Sequence, residues 1–154
     1  MIRLFDYMQA LAAAVLVGKV VLLSFVVVPV LAGTLDAEAF GRVVRRLFPA
    51  YYALGMGTAA AGLAAAAWLG TLRGINAVSA GSVAIWLLVF ATESYCRSPL
   101  TSRSNAMRDR LKEQERRGAV DPALLKQWNR VHQRSVYLNS AVLLAGMGLV
   151  WLAR

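Results

Sequence analysis

The sequence predicts an all-α fold: a four-transmembrane-helix bundle with a cytoplasmic amphipathic elbow and a cytoplasmic helical hairpin between spans 3 and 4. Three observations predict it. Of the 154 residues, 58% are hydrophobic and 16% charged, against about 45–50% and about 25% in ordinary soluble domains. The charges cluster, leaving residues 7–35, 47–72, 74–92 and 135–153 free of charge apart from Lys19. No stretch alternates polar and apolar with the period of two that a half-buried strand requires. A bilayer core of roughly 30 Å takes about 20 apolar residues as a helix. A backbone in lipid must satisfy its own hydrogen bonds, so the four stretches read as helices. The composition excludes a disordered chain. The lone cysteine, Cys96, excludes a disulfide scaffold.

The first span is placed over residues 7–31. Its apolar run outlasts the 7–15 residues of a signal-peptide core and carries Lys19 inside it, so it reads as a permanent helix. Residues 36–49 form the first cytoplasmic segment. There Phe40, Val43, Val44, Leu47 and Phe48 recur at helical spacing opposite Arg42, Arg45 and Arg46. Asp36 can cap its start, and its apolar face is expected to lie in the membrane plane. Pro49 interrupts the intrahelical bonding and permits a bend into the second span, 50–71; the alternative is one straight or kinked helix over residues 37–71. The third span is placed over 75–96. Residues 97–134 carry ten basic and four acidic residues and form the hairpin. Ser98-Pro99 starts one helix, Gly118 ends it, and Asp121-Pro122 caps the next. Nothing after Pro122 breaks that last helix, which should run into the fourth span, 135–153, over roughly 45–50 Å at 1.5 Å per residue. Leu124, Leu125, Trp128 and Val131 give its protruding turns an apolar side for the preceding hairpin helix. The whole of residues 1–154 is expected to be one integral membrane domain.

Orientation follows from the basic residues. Arg3, Arg73 and Arg154 fall on one side of the membrane; thirteen others, from Arg42 to Arg134, fall on the opposite side. Basic residues beside spans stay in the cytoplasm, so both termini should face away from it. The cytoplasmic membrane is the expected location if the chain is bacterial. The net charge of +9 then reflects topology and attraction to anionic lipids and calls for no nucleic acid. Tyr7, Trp68 and Trp151 fall near the outer ends of their spans. Tyr51, Tyr52, Tyr95 and Tyr137 fall near the inner ends, at the headgroup depth that amphipathic rings prefer. In the second span Gly55 and Ala59, and Gly62 and Ala66, are spaced so that helix backbones can approach closely. They serve packing within the bundle or, alternatively, a homo-oligomer.

Polar residues at membrane depth are the candidate site. Lys19 lies near mid-bilayer, where a lysine costs about 2.5–3.5 kcal/mol on insertion scales. It either snorkels or lines a polar cavity. Glu93 and Asn139 lie at matching depth in the inner halves of spans 3 and 4, with Ser24 in the inner half of span 1. His132, Ser135 and Asn139 share one helix face. Lys19 falls roughly 12 Å deeper than Glu93 at helical rise, which argues against a direct ion pair. These six residues are the expected substrate-binding set, opening toward the cytoplasm. Interhelical hydrogen bonding that only holds the bundle together is the competing reading. No cofactor is expected: one histidine cannot hold a two-histidine haem, and four zinc ligands in a recognisable spacing are missing. Cys96, Met107 and His132 could form a soft copper site, but without a diagnostic spacing, so no metal is nominated. No phosphate-binding glycine loop or nucleophile elbow occurs. No catalytic residue is nominated, and an enzyme is the less favoured class.

Three segments, taken in order, carry a resemblance. They are Ser24-Phe-Val-Val-Val-Pro29, Leu47-Phe-Pro-Ala-Tyr-Tyr52, and Trp128-x-x-x-His132-x-x-Ser135-x-x-x-Asn139, the last preceded by Pro99. Together they resemble the small four-helix membrane family named after transmembrane protein 205, over nearly the whole chain. The resemblance implies four spans, no established enzymatic activity, and a link to export or tolerance of metal compounds. Lys19 lies outside that pattern. Two functions remain in view. One is a transport-related protein with a cytoplasm-facing polar pocket. The other is a non-transporting scaffold or assembly factor whose arginine-rich helices bind a partner or anionic lipid.

Overall fold

The computed structural model describes residues 1–152; residues 153 and 154, including the expected end of span four, lie outside the described residues. The described residues form four long helices: α1 (Ile2–Thr34), α2 (Ala37–Arg73), α3 (Ala77–Arg116) and α4 (Pro122–Leu152). Each is long and apolar enough to cross a membrane, and no strand occurs among the described residues. Consecutive helices pack on one another, and α4 closes the ring on α1. The pairs α1/α3 and α2/α4 therefore face each other across the bundle's diagonals.

The connections follow from side-chain chemistry at the helix starts, where N–H groups lack intrahelical partners. Asp36 Oδ1 accepts from the Ala39 amide at 2.7 Å. Asn76 and Ser79 cap the start of α3 reciprocally, each side chain accepting the other's amide at 2.9 Å. The α3–α4 hairpin turns at Gly118, whose φ of 75° lies in the region that glycine enters without penalty. Asp121 Oδ1 then accepts from the Ala123 amide at 2.8 Å. As the sequence suggested, α4 runs unbroken from Pro122, and Leu124 and Val131 are buried. Leu125, expected on the same covered side, is exposed.

Two expected breaks are not breaks. Pro49 lies inside α2, so residues 37–48 are the first turns of that helix and not a separate element. A proline removes one donor, here the partner of the Arg45 carbonyl, and the ladder continues on both sides. Likewise Ser98-Pro99 starts no new helix. α3 passes through Cys96–Leu100 as a π turn. The Thr101 amide bonds to the Cys96 carbonyl, and the Thr101 hydroxyl donates to the same oxygen at 2.7 Å. A second π turn, Leu23–Val27, precedes Pro29 in α1. Both wide turns make room for a ring that the ordinary i→i−4 ladder would reject.

The core runs along one face of α2. Gly55, Ala59, Gly62 and Ala66 are all buried there, while Gly57, Ala60, Ala61, Ala64 and Ala67 are exposed on the other side. A Cβ at Gly62 would overlap the Trp86 indole, so the small residue sets how closely α2 and α3 approach. Large apolar side chains cover the outside, among them Phe25 (70% exposed), Leu144 (67%) and Leu88 (64%). Such continuous apolar exposure is foreign to a water-soluble monomer and ordinary for helices solvated by lipid.

Candidate functional site

At the end of the bundle that carries the α3–α4 hairpin, polar contacts cross both diagonals. The first joins α1 to α3. Lys19 Nζ donates to Glu93 Oε1 at 2.5 Å, and the two side chains are 4% and 1% exposed. Lys19 therefore neither snorkels nor lies too deep to pair, which corrects the depth estimate made from sequence. That estimate counted from span ends as though they marked common planes. Both helices overrun those ends, α1 reaching Thr34 and α3 reaching Arg116. The flexible lysine stem spans the remaining distance. Gly55 of α2 supplies the space, since a Cβ there would overlap both the Glu93 carboxyl and the Lys19 ammonium. Lys19 Nζ also sits 4.0 Å from the centroid of the Tyr51 ring, within cation–π range. Glu93 Oε2 is buried with no hydrogen-bond partner among the described residues. An ion pair of this kind is expensive to bury and strongly held once formed.

The second crossing joins α2 to α4. Tyr51 Oη donates to Asn139 Oδ1 at 3.0 Å. Asn139 Nδ2 donates to the Ser135 carbonyl at 2.9 Å and to Tyr52 Oη at 3.4 Å. Tyr52 Oη and Ser135 Oγ are 3.4 Å apart. Tyr51 belongs to both crossings, its ring against Lys19 and its hydroxyl on Asn139. Tyr51 and Tyr52 are both buried, because the helix face that carries Gly55 and Ala59 also carries them into the bundle.

A cavity of about 470 Å³ adjoins this network, a volume typical of small-ligand sites. Ser24, His132, Ser135 and Asn139 line it, as do Tyr52 and Arg108, while Lys19 and Glu93 do not. The six expected residues are thus divided. Four line the cavity, and two form the ion pair, connected to it through Tyr51 and Asn139. Much of the wall is apolar: Leu23 and Phe25 come from the π turn of α1, Phe40, Val44 and Phe48 from α2, and Leu143 from α4. Trp128 stacks on His132 with ring centroids 6.5 Å apart. The residues missed from sequence are Tyr51, Tyr52, Gly55 and Arg108. The stripe Tyr51, Tyr52, Gly55, Ala59, Gly62, Ala66 was the available signal for the first three. No group of three or more histidine, cysteine, aspartate or glutamate side chains that could hold a metal occurs among the described residues.

Four apolar helices around a buried charge pair define a multi-pass integral membrane protein. Residues 11–110 match the family described as a domain of unknown function (DUF4149), and the chain belongs to that family. The matched stretch contains Lys19, Ser24, Tyr51, Glu93 and Arg108 and ends before His132, Ser135 and Asn139. No curated protein and no solved structure matches the chain.

Proposed function

We propose that the protein is transport-related and that a small solute, polar or metal-containing, enters the cavity from the cytoplasm. One observation carries this reading: the cavity wall is connected to a buried ion pair through Tyr51, whose hydroxyl bonds to Asn139 and whose ring lies against Lys19. Ionisable residues at membrane depth are expensive and commonly mark a pathway or a binding site. A solute that bonds to Asn139 competes with the Tyr51 hydroxyl. Displacing Tyr51 alters the surface on which Lys19 rests, so occupancy of the cavity reaches the ion pair. The pair is then the element with two arrangements whose balance the solute shifts. The excess of basic residues at the hairpin end supports placing that end in the cytoplasm. The resemblance to the transmembrane protein 205 family supports export or tolerance of metal compounds as the physiological setting.

Flux of a panel of small polar and metal-containing solutes across proteoliposomes tests the proposal. Asn139→Ala and Glu93→Ala should each lower the flux of the transported solute. Identical flux in the wild type and both variants would remove the idea. A second reading, a scaffold, draws on the exposed Arg103, Arg110, Arg116 and Arg117 of the hairpin. Deleting residues 101–120 should then abolish recovery of a partner while leaving insertion intact. Unchanged recovery would exclude it.

A further inference from the structure

The cavity has two features that a site for a freely diffusing polar solute would not need. The first is its mouth. Phe25 and Val136 both line it, yet they are 70% and 50% exposed on the outer surface of the bundle. The opening therefore lies among side chains that face acyl chains. The second is Arg108. Its guanidinium carbon is 5.3 Å from the centroid of the Trp128 ring, and Nη1 donates to the Gly41 carbonyl at 3.4 Å. It forms no ion pair among the described residues, and the adjacent carboxylate, Asp109, is taken by Arg45. A guanidinium with no ion-pair partner among the described residues thus stands in the wall of a largely apolar cavity, with Ser104 and Asn105 beside it as further lining groups.

We infer that the cavity holds an anionic phospholipid drawn sideways from the bilayer, with its phosphate on Arg108 and an acyl chain against Phe25, Val28, Val44 and Leu143. Guanidinium matches phosphate in geometry as well as charge. The apolar wall removes the chain from no more water than the bilayer does, so selectivity comes from the head. The same guanidinium disfavours a choline cation. The inference rests on the proposed reading of this cavity as a binding site, not on translocation.

Native mass spectrometry of the full chain released from detergent tests it, with dioleoyl phosphatidylglycerol, dioleoyl phosphatidylcholine and glycerol phosphate as probes. Both lipids offer Arg108 the same phosphate, and only phosphatidylcholine sets a cation beside it, so phosphatidylglycerol should be retained about tenfold more tightly, the ratio that about 1.4 kcal/mol of like-charge repulsion gives. Arg108→Gln should abolish the preference, and Arg108→Lys, which keeps the charge, should retain it. Val136→Trp, at the mouth, should lower retention of both lipids. Equal retention of the two lipids by the wild type would overturn the inference. So would a preference that survives Arg108→Gln, loss of preference in both Arg108 variants alike, or an unaffected Val136→Trp. Glycerol phosphate displacing the lipid at equal concentration would assign the site to a free anion and overturn the lipid. Absent lipid preference with solute flux intact sinks this inference alone. Retained lipid with no flux of any solute sinks transport alone.

Discussion

Gly62 and Gly55 lie two turns apart on the same face of α2, and the gaps they leave are filled in opposite ways. At Gly62 the space is taken by the indole of Trp86, a side chain with no exposed surface. At Gly55 the same absence of a Cβ admits the Glu93 carboxyl and the Lys19 ammonium. Small residues at helical spacing therefore mark where something may approach the backbone. They do not say whether dispersion or charge occupies the place. The Trp86 contact lies in the half of the bundle joined also by Ser82 to Gln9 at 3.0 Å and by Arg73 to Asp6. The charged contact lies in the half with both π turns, the Tyr51–Asn139 crossing and the cavity.

The comparison breaks most visibly at Glu93. Glu93→Ala leaves the Lys19 ammonium buried without its partner and should cost about 3–5 kcal/mol, read from unfolding in bicelles. The paired change of Lys19→Met with Glu93→Leu should recover most of that loss, since apolar replacements of buried pairs are often neutral. Flux should stay low in the double variant, which would separate a functional pair from a stabilising one. A double variant as unstable as Glu93→Ala would show that the pair holds the bundle together.

The two glycines sharpen the same contrast. Gly62→Ala forces a methyl group into a packed indole and should destabilise by about 1–3 kcal/mol. Gly55→Ala meets only the far ends of two flexible side chains, which can withdraw. Its unfolding cost should be the smaller of the two, while its effect on flux should be the larger. Equal costs would mean that the ion pair is as rigid as the tryptophan. Below both comes Asn139→Ala, expected to cost about 0.6 kcal/mol, the average for interhelical hydrogen bonds in membranes. A much larger loss would make Asn139 a structural residue.

The fold was legible because charge is costly in lipid: the positions of a few aspartates and arginines mark the four spans whatever the packing. The caps at Asp36 and Asp121, the glycine turn at Gly118 and the unbroken α4 were legible for a local reason, since each depends on residues within one turn. The site was only partly legible. Counting residues along one helix placed Ser135, Asn139 and His132 on a common face. Judging Lys19 against Glu93 required the relative shift of two helices, which no single-helix count contains. Pro49 and Pro99 suggested breaks because a proline's missing donor is visible in sequence. The neighbours that hold the helix together around it are not. Arg108 could not be told from the other hairpin arginines, because what distinguishes it is the Trp128 ring on the facing helix.

The smallest expected effect concerns two helix starts that differ in charge. Asp36 caps α2 with a carboxylate, and Asn76 caps α3 with a neutral amide. The bond from the Ala39 amide favours the charged form of Asp36 and holds its carboxyl below its ordinary value. The folded chain therefore binds that proton more weakly than the unfolded chain. The cap's contribution is complete above the unfolded pKa and is lost as pH falls through the lowered folded one. Hydrogen exchange at the Ala39 amide, corrected for its intrinsic pH dependence, should lose protection across that acid range. Exchange at the Ser79 amide, bonded to Asn76, should stay level. Asp36→Asn keeps an acceptor that does not titrate and should make Ala39 behave like Ser79. If both amides lose protection together in the wild type, acid is loosening the whole bundle, and the local assignment to Asp36 fails.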